Sequence, residues 1–214
     1  MRIPFLEREL ESGTTIAVVG NSPKLREHEC GSAIDHCDIV MRFNNADTTD
    51  WIFTGSKTTF RYIGSNLSRA ATETAIQVAR AEESIVIFGD DTLYRHLYPK
   101  TDDAFRLIPN HHAFARSSFD WMSSVTGVTF SSDNGNPPRS GVVIIAYLLK
   151  FWPDKRLRLF GFETENRRDG PEHYFNDKKQ ISSFNNYASS IHCATEIEFF
   201  FLSCISKLGA VDVN

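Results

Sequence analysis

The sequence predicts an α/β fold, an open and mostly parallel central sheet flanked by helices. Short β-branched runs stop abruptly on glycine or polar residues, and amphipathic stretches of helical period alternate with them. No Gly/Ser linker, internal repeat or low-complexity tract interrupts the 214 residues, so the pattern reads as one unit: residues 1–13 as an N-terminal extension and 14–214 as a single domain. Hydrophobic residues at 41% and charged residues at 23% are ordinary globular usage. Lys and Arg number 23 against 27 Asp and Glu, a formal charge of −4 without a long basic run, which argues against nucleic acid as a partner.

The first strand is TTIAVVG, beginning at Thr14 and ending in Gly20; Asn21, Ser22 and Pro23 then turn the chain. KLREHECGSAID reads as a short helix and DIVMRFN as the second strand, which together open a βαβ unit. TTFRYIGS, ending at Ser65, is the third strand, ATETAIQVARAEE an amphipathic helix and SIVIFG the fourth strand. FRLIP follows as a short strand, HAFARSSFDWMSSV as a helix with an inward aromatic stripe, SGVVIIAYLLKFW as a buried helix and RLRLFGF as a further strand. A last helix is expected from Ser183 to Leu208, its run of three phenylalanines buried against the sheet. Ligands of such sheets bind at the carboxyl ends of the strands.

Gly20, Asn21 and Ser22 occupy the first strand-to-helix turn, where open α/β sheets hold phosphates or nucleotides. The G-N-S-P sequence lacks the spacing of a dinucleotide fingerprint or a P-loop, and taken alone it also fits a tight turn with Asn21 capping the next element. Arg42, Phe43, Asn44 and Asn45 end the second strand and bring another amide to the same sheet edge. Paired amides suit ribose or phosphate oxygens; they equally suit turns. The absence of a G-x-S-x-G elbow argues against a serine hydrolase, and Cys193 beside His192 cannot face it from a helix. No C-x-x-C spacing occurs among Cys30, Cys37, Cys193 and Cys204, which are read as free thiols. No Asp-x-Asp pair follows a strand, and Asp90–Asp91 reads as a capping turn.

TIAVVGNSPKLREHECGSAIDHCDIVMRFNNADTTDWIFTGSKTTFRYIGS resembles the long sialyl motif of the animal-type sialyltransferases, and NPPRSGVVIIAYLLKFWPDKRLRLFGFE resembles their short sialyl motif. EHYF at residues 172–175 is similar to the third motif, and His192 with its nearby acids to the very short one. The resemblance covers most of the chain from Thr14 to about Glu198. It implies a Rossmann-like glycosyltransferase fold, a GT-A variant, that moves sialic acid from CMP-sialic acid to the hydroxyl of a glycan or glycolipid acceptor, by inverting single displacement and without a metal or other cofactor. By position, Asn21 and Asn44 match the amides that hold the nucleotide and its phosphate, with Gly20, Ser22 and Ser65 beside them. Ser140 and Gly141 match the short-motif turn against the donor, His173 the histidine facing the donor phosphate and His192 the base.

The chain departs from the family pattern in three places. Thr15 and Trp152 stand near the positions where secretory members join two cysteines; Glu163 replaces the second glycine after the aromatic of the short-motif strand; and Ile197, flanked by Glu196 and Glu198, stands five residues after His192 where the family has its acid. Two further readings follow from the same residues: a transferase using CMP-Kdo, and a sugar-nucleotide- or glycan-binding module without catalysis. The N-terminus lacks the apolar core of a signal peptide and no later run reaches membrane-spanning length, so no integral membrane segment and a cytoplasmic location are expected.

Overall fold

The computed structural model describes residues 6–8, 10, 15–64, 69–89, 104–108, 111–130, 138–162, 195–209 and 211–213, with the side chains of 111–113 and 195–197 left aside. Seven strands are present among the described residues: β1 (Thr15–Val19), β2 (Ile39–Phe43), β3 (Phe60–Ile63), β4 (Ile85–Phe88), β5 (Phe105–Leu107), β6 (Arg156–Phe160) and β7 (Val211–Val213). They form one sheet in the order β5-β4-β3-β2-β1-β6-β7. Every pairing in it is parallel. The chain thus winds outward from β1 through β5, then returns to the other side of β1 with β6. That reversal places a topological switch point between the carboxyl ends of β1 and β6. The α/β, Rossmann-like architecture expected from the sequence is what the chain adopts.

Strand alternation divides the core in two. Ile16, Val18, Ile39, Met41, Phe60, Leu157 and Leu159 face one side. Helices α4 (His111–Thr126), α5 (Ser140–Phe151) and α6 (Thr195–Lys207) pack on that side. Ala17, Val19, Val40 and Phe160 face the other, where Ile34 of α1 (Gly31–Asp35) and Leu25 of a 3₁₀ turn (Pro23–Arg26) cover them. On the same side Ala75, Ile76 and Ala79 of α3 (Arg69–Ala81) cover Ile63, Val86 and Phe88. Helix α5 is buried from Val142 to Leu149, as its uninterrupted apolar sequence demands.

The structure refines several expectations. The single helix expected over KLREHECGSAID is two pieces, the 3₁₀ turn and α1. Gly31 opens α1 against α2 (Trp51–Thr54), where a Cβ would meet the carbonyl oxygens of Trp51 and Ile52. Ser22 rather than Asn21 caps the 3₁₀ turn, its hydroxyl accepting the Lys24 N–H with Pro23 at the first position. Of the three phenylalanines of the last helix, Phe199 and Phe201 are buried and Phe200 is exposed. The described part of that helix begins at Thr195, and its expected start at Ser183 lies outside the described residues, as does the Asp90–Asp91 turn. Strand β7 had no counterpart in the sequence reading.

Residues 6–8 and 10, inside the expected N-terminal extension, are helical. Leu6 and Leu10, four residues apart and so on one helical face, are fully buried in the larger core cluster. Leu10→Ala is therefore expected to destabilise the chain by about 2–5 kcal/mol, the range for truncating a packed core leucine. A urea titration followed by circular dichroism measures it.

Candidate nucleotide site

The carboxyl ends of β1 and β6 touch through their backbones. The Gly20 N–H donates to the Phe160 carbonyl at 2.7 Å and the Ser22 N–H to the Gly161 carbonyl at 3.2 Å. A Cβ on Gly20 would lie 2.4 Å from the Gly161 oxygen, which is backbone and cannot swing aside. Gly161 has φ +64°, a conformation that favours glycine. The Phe162 ring lies beneath: Cβ atoms on Gly20 and Gly141 would each come within about 3.1 Å of it. A Cβ on Gly141 would also lie 3.7 Å from the Phe43 ring at the end of β2. The starts of the 3₁₀ turn and of α5 and the ends of β1, β2 and β6 thus converge around Phe162 at the edge where open α/β sheets form their ligand crevice.

The two asparagines meet at this edge. Asn21 Nδ2 donates to the Phe43 carbonyl at 3.4 Å, which aims Oδ1 the other way. That oxygen is buried and has no hydrogen-bond partner among the described residues. Asn44 takes φ +52°, a turn conformation asparagine tolerates. Its N–H donates to the Tyr62 carbonyl at 2.8 Å, and its Oδ1 accepts the Gly64 N–H at 3.0 Å. Gly64 immediately precedes Ser65.

Buried arginines hold the loop that carries Asn44. Arg42 and Arg61 are in register on β2 and β3, and both are fully buried. Arg61 donates to the carbonyls of Asn44 at 2.8 Å and Ala46 at 3.1 Å, and pairs with Glu82 at 2.5 Å. Glu82 also accepts from the Thr48 hydroxyl at 2.9 Å. Arg42 donates to the carbonyls of Thr54 at 2.8 Å and Lys57 at 3.0 Å and to Thr58 Oγ1 at 3.0 Å. Asp35 accepts the N–H groups of Ser56 and Lys57 and the Ser56 hydroxyl. Burial pushes the Asp35 carboxyl up, but these donors and the Arg42 charge outweigh it and hold the group below its ordinary value.

Of the expected site residues, Gly20, Asn21, Ser22, Asn44 and Gly141 gather around the crevice, and Ser140 opens α5 beside it. Ser65, His173 and His192 lie outside the described residues. Gly161, Phe162, Arg61 and Arg139 were not among the expected site residues, and Glu198 was singled out only as one of the two acids flanking Ile197. A Gly-Phe after an alternating strand was the available signal for the first two; nothing local marks Arg61 or Arg139.

Cys30, Cys37 and Cys204 are free thiols, and Cys193 lies outside the described residues. Burial pushes the Cys30 and Cys37 thiols up, opposed by the nearby Arg158 charge. Thr15 exchanges hydrogen bonds with Asp38, its N–H and hydroxyl donating at 2.8 and 2.9 Å. Trp152 is buried against Tyr147 and Phe151. Among the described residues, no cluster of three or more His, Cys, Asp or Glu could hold a metal, and no helix is long and apolar enough to cross a membrane.

The family model described as glycosyltransferase family 29 (sialyltransferase) matches residues 6–209. CMP-N-acetylneuraminate-beta-galactosamide-alpha-2,3-sialyltransferase 1 of Sus scrofa is 25% identical over 193 residues, covering 85% of this chain and 53% of the relative. The Homo sapiens protein of the same name is 26% identical over 196 residues, again covering 85% and 53%. The chain spans about half the length of these curated relatives. A mammalian sialyltransferase solved in complex with Gal-beta-1-3GalNAc-ortho-nitrophenol aligns with a TM-score of 0.63 at 20% identity, over 100% of this chain and 74% of that one. CstII from Campylobacter jejuni, solved in complex with the substrate analogue CMP-3FNeuAc, aligns with a TM-score of 0.55 at 14% identity, over 93% and 80%. These two structures share the fold.

Because Gly20 faces backbone, Gly20→Ala is expected to force β1 and β6 apart and to cost about 1–3 kcal/mol of stability, the usual penalty of overpacking. The urea midpoint of the purified variant against wild type reads this out.

Proposed function

Because the chain belongs to glycosyltransferase family 29, the sialyltransferases, we propose that it transfers sialic acid from CMP-sialic acid to a glycan or glycolipid hydroxyl, by inverting single displacement and without metal. The observation that carries the reading is the pair of amides at the switch-point crevice. Asn21 has a buried carbonyl oxygen without a donor among the described residues. A ribose hydroxyl or a cytosine amino group supplies one, whereas a phosphate, an acceptor only, does not. Asn44 has its carbonyl committed to the Gly64 N–H, so its NH₂ is the end offered to a ligand's acceptor oxygens. Together they suit a nucleoside monophosphate held by hydroxyl or amino donors at one amide and by oxygens at the other.

In this mechanism the acceptor oxygen attacks the anomeric carbon opposite the phosphate. The bond from that carbon to the phosphate oxygen breaks, and its electron pair leaves with CMP. His192 takes the hydroxyl proton, and His173 stabilises the departing phosphate. Both roles rest on the resemblance of their motifs. One phosphate carries less charge to neutralise than a diphosphate, and the sequence lacks an Asp-x-Asp pair after a strand; both support a metal-free reaction. The three cysteines among the described residues are free thiols, which accords with a cytoplasmic location.

Purified protein incubated with EDTA and CMP-sialic acid or CMP-Kdo, with and without galactoside acceptors, is expected to release CMP in an acceptor-dependent manner from CMP-sialic acid. His192→Ala is expected to lower kcat by about 10²–10⁴-fold, the usual worth of a positioned base. Preference for CMP-Kdo would reassign the donor, and CMP binding without turnover on any acceptor would favour a binding module. An α-configured product by NMR accords with inversion of the β-linked donor, and a β-configured one contradicts it.

A further inference from the structure

Glu198 on α6 is completely buried and carries a carboxylate. A charge in that position is tolerated where its oxygens are paired and hydrogen-bonded. Its Oε1 accepts the backbone N–H of Arg139 at 2.5 Å and its Oε2 accepts Arg139 Nε at 2.6 Å. Arg139 is the residue from which α5 starts, and it makes no side-chain capping bond of its own. Its carbonyl receives the N–H groups of Val142 at 2.9 Å and Val143 at 3.1 Å, which closes the first turn. The carboxylate of a distant helix therefore fixes the residue that launches Ser140 and Gly141, and its negative charge is placed at the favourable end of the α5 dipole. Gly141 lies in turn against Phe162.

A serine or aspartate at position 139 would cap α5 locally. The chain instead has an arginine there, held by an acid 59 residues further on. We propose that Glu198 is a positioning residue for donor binding: it sets the Ser140–Gly141 turn against the crevice and ties α6, whose sequence follows His192, to the start of α5. The inference rests on the sialyl-transfer reading. It also answers the one-residue shift of the very short motif, because the acid six residues after His192 performs this work while Ile197 occupies the fifth position.

Glu198→Gln keeps the volume, but its amide offers one carbonyl oxygen to two Arg139 donors and turns an NH₂ toward the other. Wild type, E198Q, E196Q and the double variant R139Q/E198Q are compared by hydrogen–deuterium exchange without ligand and by steady-state kinetics with CMP-sialic acid. In E198Q the amides of the first α5 turn are expected to exchange roughly tenfold faster and the donor KM to rise about tenfold, with kcat and acceptor KM within about threefold of wild type, the split that marks lost ground-state binding. E196Q behaves as wild type, and R139Q adds less than about twofold to E198Q because both remove the same pair. Unchanged α5 exchange and donor KM in E198Q would overturn the inference. So would an equal effect of E196Q, or accelerated exchange throughout the chain with kcat and KM damaged together. If E198Q does not fold, R139Q, which retains the backbone N–H bond, carries the same comparison. A wild type that binds no CMP counts against the proposed function, and the ligand-free exchange results then decide the Glu198 grip by themselves.

Discussion

The site depends on a backbone contact between β1 and β6. Where the winding of the sheet reverses, the two strand ends come close enough for Gly20 and Gly161 to exchange contacts that exclude a side chain on either. Parallel strands ordinarily diverge into loops at this edge, and the divergence makes the crevice. Here the two ends touch, and Phe162, which follows β6, lies against both Gly20 and Gly141. Anything larger than hydrogen at these positions would lift the Asn21 turn or the start of α5 off that ring.

On the other side of the sheet the chain spends charge to hold loops. Arg42 and Arg61 sit side by side in register, both fully buried, an arrangement that repels unless each guanidinium is well paired. Arg61 has Glu82 and two carbonyls, and Arg42 has carbonyls and a hydroxyl with the Asp35 charge nearby. Their carbonyl and hydroxyl partners lie in the segment between β2 and β3, so that segment is clamped from the sheet at both its ends. Apolar residues in these places would pack as well, yet would leave the carbonyls of Asn44, Ala46 and Thr54 without these donors. The arginines thus trade some core stability for a defined position of the Asn44 turn.

Much of this was legible in the sequence, and the rest was not for identifiable reasons. Strands β1, β2 and β4 announce themselves because a strand covered on both faces needs continuous apolar sequence. Val211–Val213 is too short to show a period, and the Leu6/Leu10 pair lies in a stretch too brief and charged to stand out as core. The break before Gly31 is set by the carbonyls of α2, a tertiary contact invisible locally. Asn21 and Asn44 were readable as turn amides, and their assignment to a nucleotide came from the long motif around them. The Gly20–Gly161 contact and the Arg139–Glu198 pair join distant segments, and neither partner carries a mark of the other.

The central claim is that the crevice between β1 and β6 receives the CMP moiety. Titrating CMP into isotopically labelled protein and following backbone and asparagine side-chain amides by NMR tests it most directly. The account predicts saturable shifts concentrated at Gly20, Asn21, Asn44 and Gly141, with the Asn21 side chain among the largest. Saturable binding whose shifts fall elsewhere, or no shift at these residues at millimolar CMP, would contradict it.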